Sequence, residues 1–594
     1  MRHSTQSSTW GSRASVQGVA PVVLILMLFL LASCGPSTQS ADIILTNAHI
    51  YSLAWSDPDS EGVPSPDAPF VDGGWIAQSG AIAIGGGTIL ASGPESDLTA
   101  FQGPDTEMID LGGAFVVPGL IESHGHLHEL GEKAEEINLI GVLSESDIEA
   151  RLLEAASDRP AGEWILGSGW DEGELADNLP TRHFLNRLFP DNPVVLKGLR
   201  GFGTLGNDLA LAAAGVNDDT DDPVGGELIR DASGSITGVF LNNATDILNN
   251  AIPERTLDQK KRVLSYGFDR LLESGYVSTH HAGVRTDYLP AYQDMSEKSE
   301  LPMRVEAMLS TGPNNAPPVD YWIEHGPTLD PAEFLQIRSI KAYYDASLGS
   351  RGARMIEDYS DMPGHKGISG ADYDFDPERV RAFMAAGFQA GIHAIGDGGN
   401  RDVLDFYEYV YSDFPEAREL RNRIEHAQVV HPDDFARFAE LNVTASMEPG
   451  HAVEDSPWAE ERVGPDRIKG AYAWRTLRRH GVELIFNSDF TGTDWSFFYG
   501  MYAAVTRKMK SGEPQGGWYP EESVTPEEAL RAYTVWPART SSRESLTGTI
   551  EPGKWADLTV MDIDPLNTGL GNPEGLLDGR IVMTVVGGQI AYRD

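Results

Sequence analysis

One cysteine in 594 residues, Cys34, leaves no partner for an intrachain disulfide and no thiolate pair for a Cys-based zinc site. Basic residues are scarce as well: 45 Lys and Arg stand against 89 Asp and Glu, a formal charge of −44. A surface this acidic repels phosphate backbones and anionic head groups, which argues against a nucleic-acid partner. It does not define a substrate, because a deep site sets its own local field. There is no sequence repeat and no low-complexity tract of note. The apolar run over 19–31 is too short for a comfortable membrane span, which takes ~20 residues. What is present is a globular composition, with 41% hydrophobic residues, 63 Gly and 36 Pro. The length exceeds three times the commonest domain size of ~100–150 residues, so several parts are expected.

The run at 19–31 follows a segment that holds Arg2 and Arg13 and no acid. A charged start, a short apolar run and a small-residue end read as a signal peptide over 1–33. Leu31-Ala32-Ser33-Cys34-Gly35 resembles the lipobox of a bacterial lipoprotein, in which cleavage precedes the cysteine and its thiol carries a diacylglycerol. The plainer alternatives are an ordinary secretory signal or an uncleaved anchor. Lipidation predicts a membrane-anchored protein facing the periplasm, with Gly35 rather than Asp after the cysteine favouring the outer membrane.

Beyond a Ser/Thr/Gln tether, short apolar runs cut by glycines occupy 42–117, and the same texture returns over 545–594. Two β-rich ends flanking a longer middle predict one β-sandwich assembled from both termini. Within 118–544, apolar runs at 276–279, 336–342, 388–393, 423–427, 443–447 and 483–487 alternate with amphipathic stretches such as 401–414 and 433–441. That alternation predicts a parallel α/β fold, and a (β/α)8 TIM barrel suits the length. Residues about 140–245, rich in Gly, Asp and Asn, fit the pitch poorly and read as an insertion after the first barrel strand.

The chemistry concentrates at strand ends. In Pro118-Gly119-Leu120-Ile121-Glu122-Ser123-His124-Gly125-His126, residues two apart share one side of a strand. His124 and His126 would then face the mouth of a barrel, a natural start for a Zn²⁺ site. A pair of surface histidines after a turn is the plainer reading, and His128 falls on the following loop. Further apolar runs end in Ile340-Lys341, Ile392-His393, Ile424-Glu425-His426 and Asn487-Ser488-Asp489.

With these motifs, and with Lys341-Ala342-Tyr343-Tyr344-Asp345, His393-Ala394-Ile395-Gly396-Asp397 and Gly553-Lys554-Trp555-Ala556-Asp557-Leu558, the chain resembles the amidohydrolase superfamily from about residue 42 to its end. The matching branch is the YtcJ-like one, amidohydrolase family 3, which includes N-substituted formamide deformylase. The resemblance implies that His124, His126, His393 and His426 are metal ligands and that Asp489 stands beside the activated water as proton shuttle. It implies that Lys341, as a carbamate, is an oxygen donor able to bridge two metals; a salt bridge to a barrel carboxylate is the alternative. One or two divalent ions, Zn²⁺ first, would lower the pKa of a water from ~15.7 to about 7, and a carboxylate can move its proton to a leaving nitrogen. The plainer role for Asp489 is a cap on the helix that follows.

His281, Arg351 and His451 are candidates for contact with a small-molecule substrate. The pair His280-His281 reads equally as a hydrogen-bonded core feature, and Asp345 and Arg351 as shapers of the loop after Lys341. Asp397 is placed to orient a ligand. The aromatics Trp495, Phe497, Phe498 and Tyr499 read as packing. The chain departs from the branch at Gly201-Phe202, where Gly-His is usual, and at Ala346, Gly352, Glu448 and Asn487, which stand for Gly, Thr, Gln and Gly. None of these is a presumed ligand; they undermine transfer of a named substrate. The expected activity is hydrolysis of an amide, N-acyl or cyclic-amide C–N bond. A catalytically inactive barrel serving as a binding or scaffold lipoprotein, and a metal hydrolase or isomerase acting on other bonds, are the alternatives. The oligomeric state is not legible.

Overall fold

The computed structural model describes residues 40–170, 179–198, 203–223, 225–312 and 316–594. The expected signal peptide over 1–33 with Cys34, and Gly201-Phe202, lie outside the described residues. Among the described residues no helix is long and apolar enough to cross a membrane.

Eight parallel strands form the centre: β1 (Leu120–Gly125), β2 (Tyr276–Val284), β3 (Arg304–Ser310), β4 (Leu335–Tyr343), β5 (Gln389–Ala394), β6 (Arg423–His426), β7 (Thr444–Met447) and β8 (Leu484–Phe486). Each pairs with its neighbours in chain order. Every residue of β1, β3, β6, β7 and β8 is buried, as expected for parallel strands covered on both faces. Each apolar run read from the sequence falls on one of these strands. β3 is not legible as such a run, because Arg304 and Glu306 alternate with Val305 and Ala307.

β8 and β1 meet without a ladder, so the barrel is nearly closed rather than continuous. Side chains and loop backbone complete the seam. Glu122 accepts from the Ser488 amide at 3.0 Å and its hydroxyl at 2.9 Å, and Ser123 Oγ donates to the Phe486 carbonyl at 3.0 Å. The Asp489 amide donates to the His124 carbonyl at 3.1 Å, and the His126 amide to that of Phe490 at 2.8 Å. Helices cover the outside. Leu257–Glu273, opened by a Thr256/Gln259 capping box, lies against Leu127–Glu135 so closely that a Cβ on Gly131 would sit 2.0 Å from the Val263 carbonyl oxygen.

The chain ends meet in one eight-stranded sheet. Its order is Gln589–Arg593, Ile581–Val586, Leu558–Met561, Phe115–Pro118, Ile43–Ile50, Gln78–Gly85, Thr88–Gly93, with Glu107–Asp110 also paired to Ile43–Ile50. The sheet curls until the Ile89 amide donates to the Lys554 carbonyl at 2.8 Å, and it encloses an apolar core of its own. This sheet rests on the N-terminal ends of the barrel strands. Arg304, at the start of β3, makes a buried fork to Asp557 at 2.7 and 3.2 Å and lies 3.5 Å from the centre of the Trp555 ring. Between β1 and β2 the chain builds a separate six-stranded sheet from segments between Ile137 and Asn242. The aromatics of 495–499 pack as read: Phe497, Phe498 and Tyr499 are buried in the main core on the helix Phe497–Thr506.

Candidate metal centre

At the C-terminal ends of the strands lies a cavity of about 460 Å³, in the size range of small-molecule sites. His124, His126, Lys341, His393, His426 and Asp489 all line it, although they come from the ends of four strands, β1, β4, β5 and β6, and the turn after β8. His124 closes β1 and is fully buried, while His126 lies just past the strand at the entrance to the next helix. The two rings converge on Asp489, whose Oδ1 is 2.9 Å from His126 Nε2 and 3.6 Å from His124 Nε2. Lys341 reaches across from β4 and places Nζ 2.8 Å from His124 Nε2. His393 and His426 stand edge to face with centroids 4.4 Å apart, and the His426 ring is 5.2 Å from that of His124.

Two overlapping donor sets could hold a cation: His124, His126 and Asp489, and His426, His451 and Asp489, each with donor atoms within 4.8 Å of one another. Buried His393 Nε2 has no hydrogen-bond partner, and its closest carboxylate oxygen, on Asp345, is 3.7 Å away. Convergent imidazoles with an unspent buried nitrogen and a shared carboxylate fit a divalent metal of the zinc type.

The electrostatics fit the same reading. Burial, helped by the Lys341 cation, lowers His124 to about 4, so its ring is neutral and can act as a ligand. Burial and the neighbouring His426 push His393 well below its ordinary value. For Asp489 burial acts upward, but the imidazoles of His124, His126 and His426 outweigh it and hold the carboxyl well below the usual carboxylate range. Burial depresses the Lys341 ammonium despite Glu425, Asp489 and Glu448 nearby.

The remaining candidates divide. His451 lines the cavity, and its Nδ1 is 3.6 Å from Glu448 Oε2. His281 does not reach the cavity: it is buried between β2 and the helix Leu289–Glu297, with Nδ1 2.6 Å from the Tyr292 hydroxyl and Nε2 2.7 Å from His128 Nδ1. On a strand, the odd and even members of His280-His281 face opposite sides, and it is His280 that turns inward, to Arg423 at 3.0 Å. Arg351 also lies away from the cavity, engaged by Asp361 at 2.7 Å in a pair that Arg462 shares. Asp345 accepts backbone amides of Arg354, Ile395 and Gly396 at 2.8–2.9 Å, and so ties the loop after β4 to the end of β5. Asp397 does the same for Ile356 at 2.9 Å and orients no cavity histidine.

Two buried carboxylates beside the ligand candidates have no role assigned from the sequence. Glu425 Oε2 is 2.6 Å from His124 Nδ1, and Glu448 Oε2 is 3.1 Å from His426 Nδ1. A signal for the first was present: Arg423 and Glu425, two apart on an otherwise apolar strand, must share one face.

Residues 107–592 match the model of the amidohydrolase family. The chain is 31% identical over 525 residues to the putative amidohydrolase YtcJ of Bacillus subtilis, covering 86% of this chain and 96% of that one. It is 28% identical over 533 residues to N-substituted formamide deformylase of Arthrobacter pascens, covering 86% and 94%. Among solved structures, an uncharacterized metal-dependent hydrolase of Pyrococcus furiosus superposes with a TM-score of 0.69 at 28% identity, over 88% of this chain and 99% of that one.

Proposed function

The chain belongs to the amidohydrolase family, and from that premise we propose that it hydrolyses a C–N bond of a small molecule, in an amide, N-acyl or cyclic-amide group, with His124, His126, His393, His426, Asp489 and the carbamate of Lys341 holding one or two divalent ions. The observation that carries this reading is the convergence of His124 Nε2 and His126 Nε2 on one Asp489 oxygen at 3.6 and 2.9 Å, inside a cavity of small-molecule size. The similarity to the Arthrobacter N-substituted formamide deformylase supports a C–N bond as the target.

When bound, a divalent cation such as Zn²⁺ polarises a carbonyl and brings the pKa of a water to about 7. The protein's own contribution is proton management and orientation. Asp489 Oδ1 takes the proton of the attacking water as its oxygen forms the new bond to the carbonyl carbon. The same proton is delivered to nitrogen as the C–N bond breaks, so the products are an acid and an amine. The imidazoles of His124, His126 and His426 keep the carboxylate ionised and so able to accept that proton.

The test is a panel of N-formyl, N-acyl and cyclic amides and matched esters, assayed before and after chelation. Amine release that disappears with chelator, returns with Zn²⁺ and is absent in His124→Ala is expected. Turnover of esters alone, or amide turnover indifferent to chelation, would refute the reading. We also propose, from residues 19–35, that Cys34 carries a lipid anchor and the catalytic body faces the periplasm. Cys34→Ser should abolish labelling by radioactive palmitate, and undiminished labelling would exclude that site.

A further inference from the structure

Two carboxylates that do not themselves line the cavity contact imidazoles that do, each at Nδ1. Glu425 is fully buried on β6. Its Oε2 contacts His124 Nδ1 at 2.6 Å and accepts from Arg423 Nη2 at 2.9 Å, while Oε1 is 2.8 Å from Arg423 Nε. Arg423 is itself fixed by donation to the Ser123 carbonyl at 2.7 Å and to His280 Nδ1 at 3.0 Å. Glu448, in the loop after β7, is 4% exposed and contacts His426 Nδ1 at 3.1 Å.

Hydrogen-bond accounting fixes what these contacts mean. An ionised carboxylate only accepts, so each imidazole must carry its proton on Nδ1 and leave a lone pair on Nε2. The buried pair His128–His281 shows the contrast, for its rings meet each other and a tyrosine hydroxyl and no carboxylate.

We infer that Glu425 and Glu448 are the positioning residues of this centre, each locking one imidazole, His124 or His426, in the tautomer and orientation that presents Nε2 to a metal ion. The two differ in how they are held. Glu425 Oε2 also accepts from the Arg423 guanidinium at 2.9 Å, whereas Glu448 Oε2 also lies 3.6 Å from His451 Nδ1; the second oxygen of each carboxylate has no hydrogen-bond partner. The inference rests on the reading of His124 and His426 as metal ligands. Carboxylates in this relation to a ligating histidine typically change metal affinity 10–100-fold when altered.

The experiment measures zinc affinity of the full chain by chelator competition, for wild type, Glu425→Gln, Glu448→Gln and, as control, Glu306→Gln. Glu306 is a buried carboxylate bonded to Ser339 at 2.7 Å that touches no cavity imidazole. Both first variants should bind zinc about 10–100-fold more weakly, while the control, if folded, binds as wild type. A merely structural role would lower the thermal midpoint and leave the affinity of the folded protein unchanged, and that result overturns the inference. If a variant does not fold, ¹⁵N-histidine NMR of metal-free wild type decides: His124 and His426 should be Nδ1–H tautomers, and Nε2–H in either ring is fatal to its assignment. His124→Ala separates the two levels. Undiminished zinc binding in that variant removes the ligand reading itself, whereas lost binding there with unchanged affinity in Glu425→Gln removes only the positioning role.

Discussion

Asp489→Asn is the most discriminating single change. The residue has φ +49°, a left-handed conformation that Asn tolerates nearly as well as Asp and that most other residues resist. Its backbone bonds do not involve the carboxylate: the amide donates to the His124 carbonyl and to Asn487 Oδ1, both at 3.1 Å, and the carbonyl accepts from Gly492 at 2.9 Å. The seam between β1 and β8 should therefore survive. A capping role is excluded by the fold, because the helix Phe497–Thr506 has Ser496 as its N-cap, well beyond Asp489. What Asn removes is the negative charge 2.9 Å from His126 Nε2 and the capacity to accept a proton. General acid–base groups typically contribute 10²–10⁴-fold, or about 3–5 kcal/mol of barrier. The assay is kcat/KM at saturating Zn²⁺, with metal content and circular dichroism measured on the same sample. A fall of at least a hundredfold is expected, since the carboxylate is lost both as proton carrier and as a member of both donor sets. Near-wild-type turnover in a folded, metal-loaded variant would refute the proton-shuttle assignment for any substrate.

Three further outcomes follow from the packing. His280 is lowered to about 4 by burial, with the Arg423 cation acting in the same direction, so below pH 6.5 the unfolded chain takes up a proton that the folded chain refuses. Stability should fall as pH drops from about 6.5 to about 4, by about 3 kcal/mol at about 1.4 kcal/mol per unit, and denaturant midpoints should show a flatter profile for His280→Gln; identical slopes would contradict this. Asp557→Ala leaves the buried Arg304 guanidinium unpaired between barrel and terminal sheet and should cost about 3–5 kcal/mol in denaturant unfolding, so a change below 1 kcal/mol would mean the fork contributes little. Gly125→Ala puts a Cβ 2.0 Å from the Phe490 ring, whose residue also holds the His126 amide, and should cost about 1–3 kcal/mol and lower zinc content; full occupancy at wild-type stability would show that the ring moves aside freely.

Apart from β3 the barrel strands were legible as apolar runs, and in β1, β4, β5 and β6 the polar residue at or near the end of the run lines the cavity. His393, His426 and Lys341 are readable on that ground alone, while Asp489 needs one step more, since it lies in the turn beyond β8. His281 was misplaced for a reason of parity. Adjacent histidines on a strand face opposite sides, and nothing in 276–284 says which face is interior until β1 and β3 are laid beside it. Arg351 offers no local signal, because its partner Asp361 is reached only through a loop that folds back. The partnership of Glu425 with His124 spans 301 residues and exists only once the barrel closes, so no spacing rule could expose it. Glu448 was visible as an oddity in its motif but not as a partner of His426.

The sheet woven from both ends governs when this chain can finish folding during synthesis. Leu120 bonds to Thr559 across 439 residues, and the neighbouring strand Phe115–Pro118 pairs with Leu558–Met561. At 5–20 residues per second, roughly 20–90 s separate the emergence of the two partners from the ribosome. Over that interval Phe115-Val116-Val117 is an apolar strand with one edge unpaired, the kind of surface that recruits a second nascent chain. The seam strand β8 also arrives late, so the barrel and the sheet are completed within the last stretch of the polypeptide. A ribosome stalled before Met561 should therefore carry a chain that is open to proteases and dependent on holding chaperones, although all eight barrel strands precede that point.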